Sequence, residues 1–111
     1  MQQITLTIGR NVGSGPVADE RWARFIDDTL ALVRRHSFDV VVQNTGRGEW
    51  QGADGEVIRE ENFHVAGIRE DDVNETDTAD SVRREVRELA HVYGQEAIAL
   101  GFGTSELVSG A

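Results

Sequence analysis

The residues best suited to binding chemistry flank an Asp-Gly pair in the middle of the chain. Asp54 and Gly55 stand between strand-like residues, which is typical of a β-hairpin with a two-residue turn. In that register Trp50 lies across from Arg59, so an aromatic ring and a guanidinium would meet on one surface. Tryptophan and arginine are among the residue types most enriched where binding energy concentrates. We therefore predict that Trp50 and Arg59 bind a small anionic ligand or a protein partner.

A glycine-rich stretch at residues 9–16 offers a second candidate for binding. It stands between a predicted strand and a predicted helix, where backbone amides can bind an anion, and Arg10 adds a positive charge. The stretch matches neither the P-loop nor the dinucleotide fingerprint, and Asp19 and Glu20 at the start of the helix would repel a phosphate. A plain flexible connection is therefore the alternative interpretation. Arg10 is the third residue of the predicted binding site.

The three histidines do not have a recognisable metal spacing. His36, His64 and His91 are dispersed along the chain, so we predict no metal site. His64 lies in a predicted strand between Phe63 and Val65 and points to the opposite side, towards either the helices or the open sheet face. It is either a structural or interface residue or a fourth member of the binding site.

No catalytic group of residues is evident. Ser14 and Ser105 lack the context of a nucleophile elbow, and Glu49 and Glu60 form a carboxylate pair around which no cleft is indicated. We predict no cofactor, and we favour a non-enzymatic protein that binds a partner or a small ligand. The alternative is a small enzyme of the dimeric αβ-barrel type that uses His64 and arginines in a cavity between helices and sheet.

Composition limits the cellular setting and the partners. The chain of 111 residues fits one domain, spanning residues 1–111, and it contains no cysteine, which excludes disulfides and thiolate metal sites. Its net charge of −9 opposes nucleic-acid backbones and anionic membranes. We therefore predict a soluble cytoplasmic protein that binds neither. All eleven basic residues are arginine, a bias typical of GC-rich genomes, and we take an actinobacterium or one of its phages as the source.

Two kinds of apolar spacing in the sequence predict the strands and helices that position these residues. Alternating apolar residues predict strands at 4–8, 38–42, 57–68 and 97–102, while helical spacing predicts helices at 18–35 and 79–93, with an acidic linker at 70–77. The uninterrupted run Val40-Val41-Val42 predicts a strand in the centre of the sheet, with apolar neighbours on both faces.

The order strand, helix, hairpin, helix, strand is the βαββαβ order of ferredoxin-like α+β domains. In that arrangement two helices cover one face of a four-stranded antiparallel sheet, and the other face stays open. Thr5, Thr7 and Val41 would make the open face partly apolar. We therefore predict a homodimer or a higher oligomer that assembles through this face.

Three short stretches, taken together, resemble a known family. They are Trp22-x-x-Phe25 in the first helix, Gly48-Glu49-Trp50-Gln51-Gly52 through Arg59-Glu60 in the hairpin, and Tyr93-Gly94-Gln95-Glu96 after the second helix. The combination resembles an uncharacterised family of small bacterial proteins, domain of unknown function 3574. Because that family has no assigned chemistry, the resemblance implies an α+β fold and no particular reaction.

Overall fold

The computed structural model describes residues 1–12, 15–70 and 75–110, and the side chains at 50 and 75–78 lie outside that description. In chain order the elements are β1 (Gln2–Gly9), β2 (Asn11–Val12), β3 (Gly15–Pro16), α1 (Asp19–Arg35), β4 (Asp39–Gln51), β5 (Val57–Arg69), α2 (Glu75–Val92) and β6 (Ala99–Thr104). Four strands form an antiparallel sheet in the order β4-β5-β1-β6, and β2 pairs with β3 separately. The predicted α+β class, with two helices and a four-stranded antiparallel sheet, is confirmed for the described ranges.

One face of the sheet carries the hydrophobic core. Side chains alternate along β1, so that Ile4, Leu6 and Ile8 are fully buried while Thr5 and Thr7 on the other face are half-buried. The apolar stripe of each helix packs against the buried side. The helix residues in that core are Trp22, Phe25, Leu32 and Val33 of α1 and Val82 and Val86 of α2. Both helices therefore share one sheet face and leave the other open.

A stack of aromatic rings fastens the two helices to each other. Phe25 of α1 and Tyr93, which directly follows α2, stack with ring centroids 4.3 Å apart and planes 8° apart. Trp22 meets Phe25 edge-on at 5.9 Å, and the Arg21 guanidinium lies 4.9 Å from the centre of the Tyr93 ring. Such pairs contribute about 0.5–1.5 kcal/mol each beyond the area that they bury. The end of α2 is thereby held against α1.

A charged cluster joins the other end of α1 to α2. Glu85 of α2 accepts a hydrogen bond from Arg35 at 3.1 Å and is hydrogen-bonded to His36. Burial acts to raise the pKa of Glu85, but the hydrogen bond to His36 and the charges of His36 and Arg35 outweigh it, so the pKa is lowered. Glu85 therefore remains a carboxylate between the two helices.

Strand β4 lies at the edge of the sheet, so its predicted central position is wrong. A β-bulge between Val40 and Val42 places two residues of β4 opposite one of β5. Val41 is 53% exposed and Val42 is 47% exposed. The apolar run in the sequence therefore reflects a bulged edge strand with an open face, whereas a central strand would bury both of its faces.

The β4–β5 hairpin turns through a wider loop than the sequence predicts. Gly52 donates its backbone N–H to Glu56 O at 2.8 Å, and Gly55, with a φ of 78°, donates to Gly52 O at 3.0 Å. The five-residue loop shifts the register by one residue. Trp50 consequently pairs with Ile58, and Arg59 pairs with Glu49 instead of Trp50. A shift of one residue moves a side chain to the opposite face, so the predicted Trp50–Arg59 pair does not form.

Two connections also differ from the prediction. In the glycine-rich stretch after β1 the described residues form a short antiparallel pairing, in which Asn11 pairs with Pro16 and Val12 pairs with Gly15. Helix α2 begins at Glu75, four residues earlier than predicted, since acidic residues typical of a linker are also favoured in the first turn of a helix. The rest of the predicted linker reaches residues outside the described ranges. No helix within those ranges is long and apolar enough to cross a membrane.

Gly67 of β5 lies against α1, where a side chain has no room. A methyl group at this position would lie 2.9 Å from Phe38 Cβ and 3.1 Å from Val33 Cγ1, and both neighbours are buried. We expect Gly67→Ala to lower the free energy of unfolding by about 1–3 kcal/mol, measured by urea denaturation, because the core must move to admit the methyl group. Gly103→Ala is the control, since nothing lies within 4 Å of the place that its methyl group would occupy. Equal losses in both variants would contradict the close packing at Gly67.

Candidate functional site

A cleft of about 660 Å³ lies at the end of the sheet where β1 ends and β6 begins. Its walls come from the β2–β3 hairpin, from β5 and from the segment between α2 and β6. The lining residues are Asn11, Val12, Gly15, Ile58, Glu60, Gly94, Gln95, Glu96 and Ala97. Small-molecule sites commonly have volumes of about 300–1000 Å³. The cleft is therefore large enough to hold a small ligand.

The backbone of Asn11 joins two walls of the cleft. Its N–H donates a hydrogen bond to Glu60 Oε2 at 2.9 Å, and its carbonyl oxygen accepts one from Gln95 Nε2 at 3.3 Å. Glu60 belongs to β5 and Gln95 to the segment after α2, so residues far apart in sequence are held by the backbone of one residue. The glycine at position 9 leaves space for the Glu60 carboxylate, because a Cβ there would collide with it.

The segment after α2 is positioned by the end of that helix. Gly94 has a φ of 65°, the left-handed conformation in which helices commonly end, and Gln95 donates its backbone N–H to Ala90 O at 2.9 Å. Tyr93 donates a hydrogen bond from its hydroxyl to Asp28 Oδ2 at 2.5 Å. Burial raises the pKa of Tyr93, and the hydrogen bond to Asp28 raises it further. The side chains of Gln95 and Glu96 are thus presented from an anchored turn.

The cleft combines negative charge with an apolar wall. Glu60 is partly buried and Glu96 is exposed, and none of the described residues that line the cleft is basic. Val12, Ile58 and Ala97 supply apolar surface next to these carboxylates. Such a lining attracts a cation with an apolar body, whereas it would repel the anionic ligand that the sequence predicts.

A second recess of about 480 Å³ adjoins the cleft. The two share Asn11 and Glu60, and the second is also lined by Arg10, Pro16, Arg47, Arg59 and Glu61. Arg10 and Arg59, both predicted as binding residues, therefore come together here. Arg47 and Arg59 lie on one face of the β4–β5 hairpin and Glu60 on the other, so the second recess and the cleft differ in the charge of their linings.

Arg10 is held by contacts within the chain. Its Nε donates to Val17 O at 2.9 Å, its Nη1 to Glu61 Oε2 at 2.9 Å and its Nη2 to Asp19 Oδ1 at 2.5 Å. Hydrogen bonds to Asp19 and then to Glu61 raise the pKa of Arg10. The guanidinium therefore fastens the β2–β3 hairpin to both α1 and β5.

Of the predicted binding residues Arg59 and Trp50, only Arg59 has a side chain within the described part of the structure. Arg59 Nε donates to Glu49 Oε1 at 2.9 Å, in an ion pair whose side chains are largely exposed. Pairs of this kind contribute about 0–1 kcal/mol, so this one leaves Arg59 available to a ligand. The side chain of Trp50 lies outside the described part of the structure, and its binding role stays a prediction.

His64 lies on the open face of the sheet. Thr7 Oγ1 and His64 Nδ1 are hydrogen-bonded at 2.8 Å, and Asn44 is its neighbour across the β4–β5 pairing. Phe63 and Val65, which flank it, are buried on the helix side. His64 is therefore not in a cavity between helices and sheet, as the predicted αβ-barrel alternative requires, and it lines neither of the two recesses.

Sequence reasoning missed the role of the segment after α2. Gln95 and Glu96 entered only as part of a family resemblance, although a polar pair directly after a helix-ending glycine and before a strand is a recognisable signal for a loop that bears a site. Among the residues that the structure describes, no group of three or more His, Asp or Glu side chains is arranged to hold a metal ion.

Tyr93 is the only tyrosine in the chain, so its ionisation can be followed directly by ultraviolet absorbance. We expect a midpoint above the ordinary value of 10.0, and we expect Asp28→Asn to lower it, because the variant removes the charge that opposes tyrosinate. The unfolded state should ionise first, so stability should fall as the pH rises above about 10. Asp27→Asn, at an exposed neighbour, is the control. A midpoint that Asp28→Asn leaves unchanged would contradict the Tyr93–Asp28 contact.

Comparison with known proteins places the fold among solved structures. No family model and no curated protein matches the chain. A phage SAM lyase in complex with S-methyl-5'-thioadenosine is similar, at 20% identity and a TM-score of 0.68, over 92% of this chain and 79% of that one. A phage SAM lyase in the apo state matches at 19% identity and a TM-score of 0.64, over 97% and 92%. CutA1 from Pyrococcus horikoshii matches at 13% identity and a TM-score of 0.51, over 99% and 88%. These likenesses show a shared α+β fold.

Proposed function

We propose that the chain binds S-adenosylmethionine in the acidic cleft and cleaves it to S-methyl-5'-thioadenosine. The observation that carries the proposal is the lining of the cleft, in which Glu60 and Glu96 stand beside apolar residues and no described lining residue is basic. The likeness in fold to phage SAM lyases suggested this substrate. The proposal belongs to the enzymatic alternative that the sequence leaves open, with a different site from the one expected there.

The chemistry of the substrate suits this lining. S-adenosylmethionine carries a permanent sulfonium charge between an adenosine and an amino-acid tail. Carboxylates in a partly desolvated cleft attract that charge, and the apolar wall of Val12, Ile58 and Ala97 suits the adenine ring. The lining of the cleft therefore suits the sulfonium and the adenosine of the substrate.

Cleavage removes the charge that the cleft binds. The bond between the sulfonium sulfur and the γ-carbon of the tail breaks, and its electron pair passes to sulfur, which leaves a neutral thioether. The tail completes its valence by attack of its own carboxylate or by loss of a proton, so the reaction consumes no water. Because the product is uncharged, its attraction to Glu60 and Glu96 is weaker than that of the substrate, which favours product release.

The exact topology of the sheet and the assembly of the chain are also proposals. The order β4-β5-β1-β6 supports a ferredoxin-like topology, and its open face suits the predicted assembly. Membership of domain of unknown function 3574 and a cytoplasmic location stay predictions of the sequence.

A second proposal concerns assembly, and it also serves the favoured hypothesis of a binding protein. Residues 47–51 and 57–61 of the β4–β5 hairpin extend beyond Gly9, where β1 ends, so this part of the hairpin is a two-stranded arm. Isolated two-stranded hairpins are marginally stable in water. At the other end of β4, Val41 and Val42 are also exposed. The arm and these two valines together form the surface proposed for assembly. We propose that a second copy of the chain covers this surface in a homo-oligomer.

Replacing either carboxylate should weaken substrate binding. We expect Glu60→Gln and Glu96→Gln each to weaken the affinity for S-adenosylmethionine by about tenfold, measured as a rise in KM from the rate of thioether release, because each removes one negative charge from the cleft. Affinity for neutral S-methyl-5'-thioadenosine should change by less than about twofold. Chromatography of the reaction mixture should show the thioether product with the unchanged protein.

The matched control for these variants is Glu88→Gln, which removes an exposed carboxylate of α2 outside the cleft. It alters the net charge equally and should leave the affinity unchanged. If the unchanged protein neither binds S-adenosylmethionine nor releases the thioether, the proposed function is wrong. Equal effects of all three variants would assign the binding to overall charge instead of the cleft.

A charge on the open face should dissociate the assembly. We expect the protein to have a mass in light scattering above its monomer mass of 12.2 kDa, and Val42→Asp to bring it down to that mass, because burying an unpaired carboxylate is unfavourable. Val108→Asp, at a residue that is 82% exposed near the C-terminus, is the control. A monomeric unchanged protein at micromolar concentration would rule out this assembly.

A further inference from the structure

The open face of the sheet is uncharged over most of its length. Residues directly opposite each other in an antiparallel pair share a face, so the strand registers identify the members of this one. Around its centre they are Thr5 and Thr7 of β1, Val42, Asn44 and Gly46 of β4, Asn62, His64 and Ala66 of β5, and Ala99 and Gly101 of β6. Among the described residues of the face, charged side chains stand only at Glu60 towards one end and Asp39 towards the other. Because 28% of the chain is charged, this face is poor in charge for its size.

His64 is the only titratable side chain that the described residues place near the centre of the open face. Its Nδ1 is hydrogen-bonded to Thr7 Oγ1 of β1 at 2.8 Å, and its neighbour across the pairing with β4 is Asn44. Neither flanking strand therefore presents a charged or titratable group beside it. Along β5 the nearest charge on this face is Glu60, four residues away, which is about 13 Å in an extended strand. A positive charge on His64 would have no adjacent carboxylate to offset it.

His64 lies between the two parts of the surface proposed for assembly. Along the β4–β5 pairing its row falls between Val41 and Val42 on one side and the arm of residues 47–51 and 57–61 on the other. A copy that covers both parts must also cover His64. If that copy presents the same face, it adds a second His64 and no carboxylate, because the centre of its face is uncharged as well.

We propose that protonation of His64 separates the copies, so that the homo-oligomer is a pH-sensitive assembly. The inference rests on the assembly proposed above and is independent of the proposed cleavage reaction. An imidazole ordinarily gains its proton near pH 6.5, and burying an unpaired charge is unfavourable. The proton is therefore bound more readily by the free copy than by the covered one. By linkage the assembly is fully present above that pH and weakens as the pH falls through it.

The test follows the mass of the unchanged protein and of His64→Gln by light scattering from about pH 8 to about pH 5.5, at constant ionic strength. We expect the mass of the unchanged protein to fall to its monomer mass of 12.2 kDa in acid. The dissociation constant should rise by up to about tenfold per pH unit for each His64 that is released. His64→Gln should keep the assembled mass over the whole range, because an amide does not take up the proton.

Two other histidines serve as controls. His91→Gln, at an exposed position of α2, should keep the acid sensitivity of the unchanged protein. His36 is hydrogen-bonded to Glu85 between the helices, so acid also affects that contact. If His36→Gln abolishes the acid sensitivity and His64→Gln retains it, the assignment to His64 is overturned. A constant assembled mass of the unchanged protein down to about pH 5.5 overturns the inference while the assembly stands. A monomer at every pH overturns both.

A second measurement decides the question if His64→Gln does not assemble. The imidazole C2-proton resonance of His64 in the unchanged protein, assigned through its contact with Thr7, is followed by NMR in dilute and in concentrated samples. We expect His64 to titrate at a lower pH in the concentrated, assembled sample, because the covering copy opposes protonation. Equal midpoints in the two samples would contradict the proposal.

Discussion

The stacking of Phe25 on Tyr93 is the contact on which the remaining structure most depends. It joins the middle of α1 to the residue directly after α2, so the two helices cannot slide along the sheet independently. The same contact fixes the starting point of the segment that carries Gln95 and Glu96. A contact within the hydrophobic core therefore also defines one wall of the cleft, which couples the packing of the helices to the geometry of the site.

Much of the fold could be predicted because the spacing of apolar residues along a strand or helix matches the face that it buries. Strand β1 alternates cleanly between buried and half-buried residues, and α1 carries one apolar stripe with charges suited to both of its ends. The prediction was wrong at two places where one extra residue changes the pairing of strands or the position of a strand in the sheet. The width of the turn at residues 52–56 decided the register, and the bulge at Val41 decided what the run of valines meant. Neither is encoded in an alternation of residue types.

The site was only partly predictable, because it brings together residues that are far apart in the sequence. Arg10 and Arg59 were recognised by residue type, and they do line one recess. The cleft itself depends on Glu60 and Gln95 both contacting the backbone of Asn11, and no spacing in the sequence indicates that these three residues converge. The pairing of Glu61 with Arg10, in place of its cross-strand neighbour Arg47, is equally a product of the tertiary structure.

The bulge in β4 has a consequence for how chains of this fold can change in length. Two residues there, Val40 and Val41, occupy the space that faces a single residue of β5. A deletion of one residue at this point would restore a regular ladder without inverting the alternation along the rest of β4. A deletion elsewhere in the strand would exchange the two faces of β4 on one side of the deletion. We therefore expect a change of one residue in the length of this strand to be tolerated best at the bulge, where the two faces keep their identities.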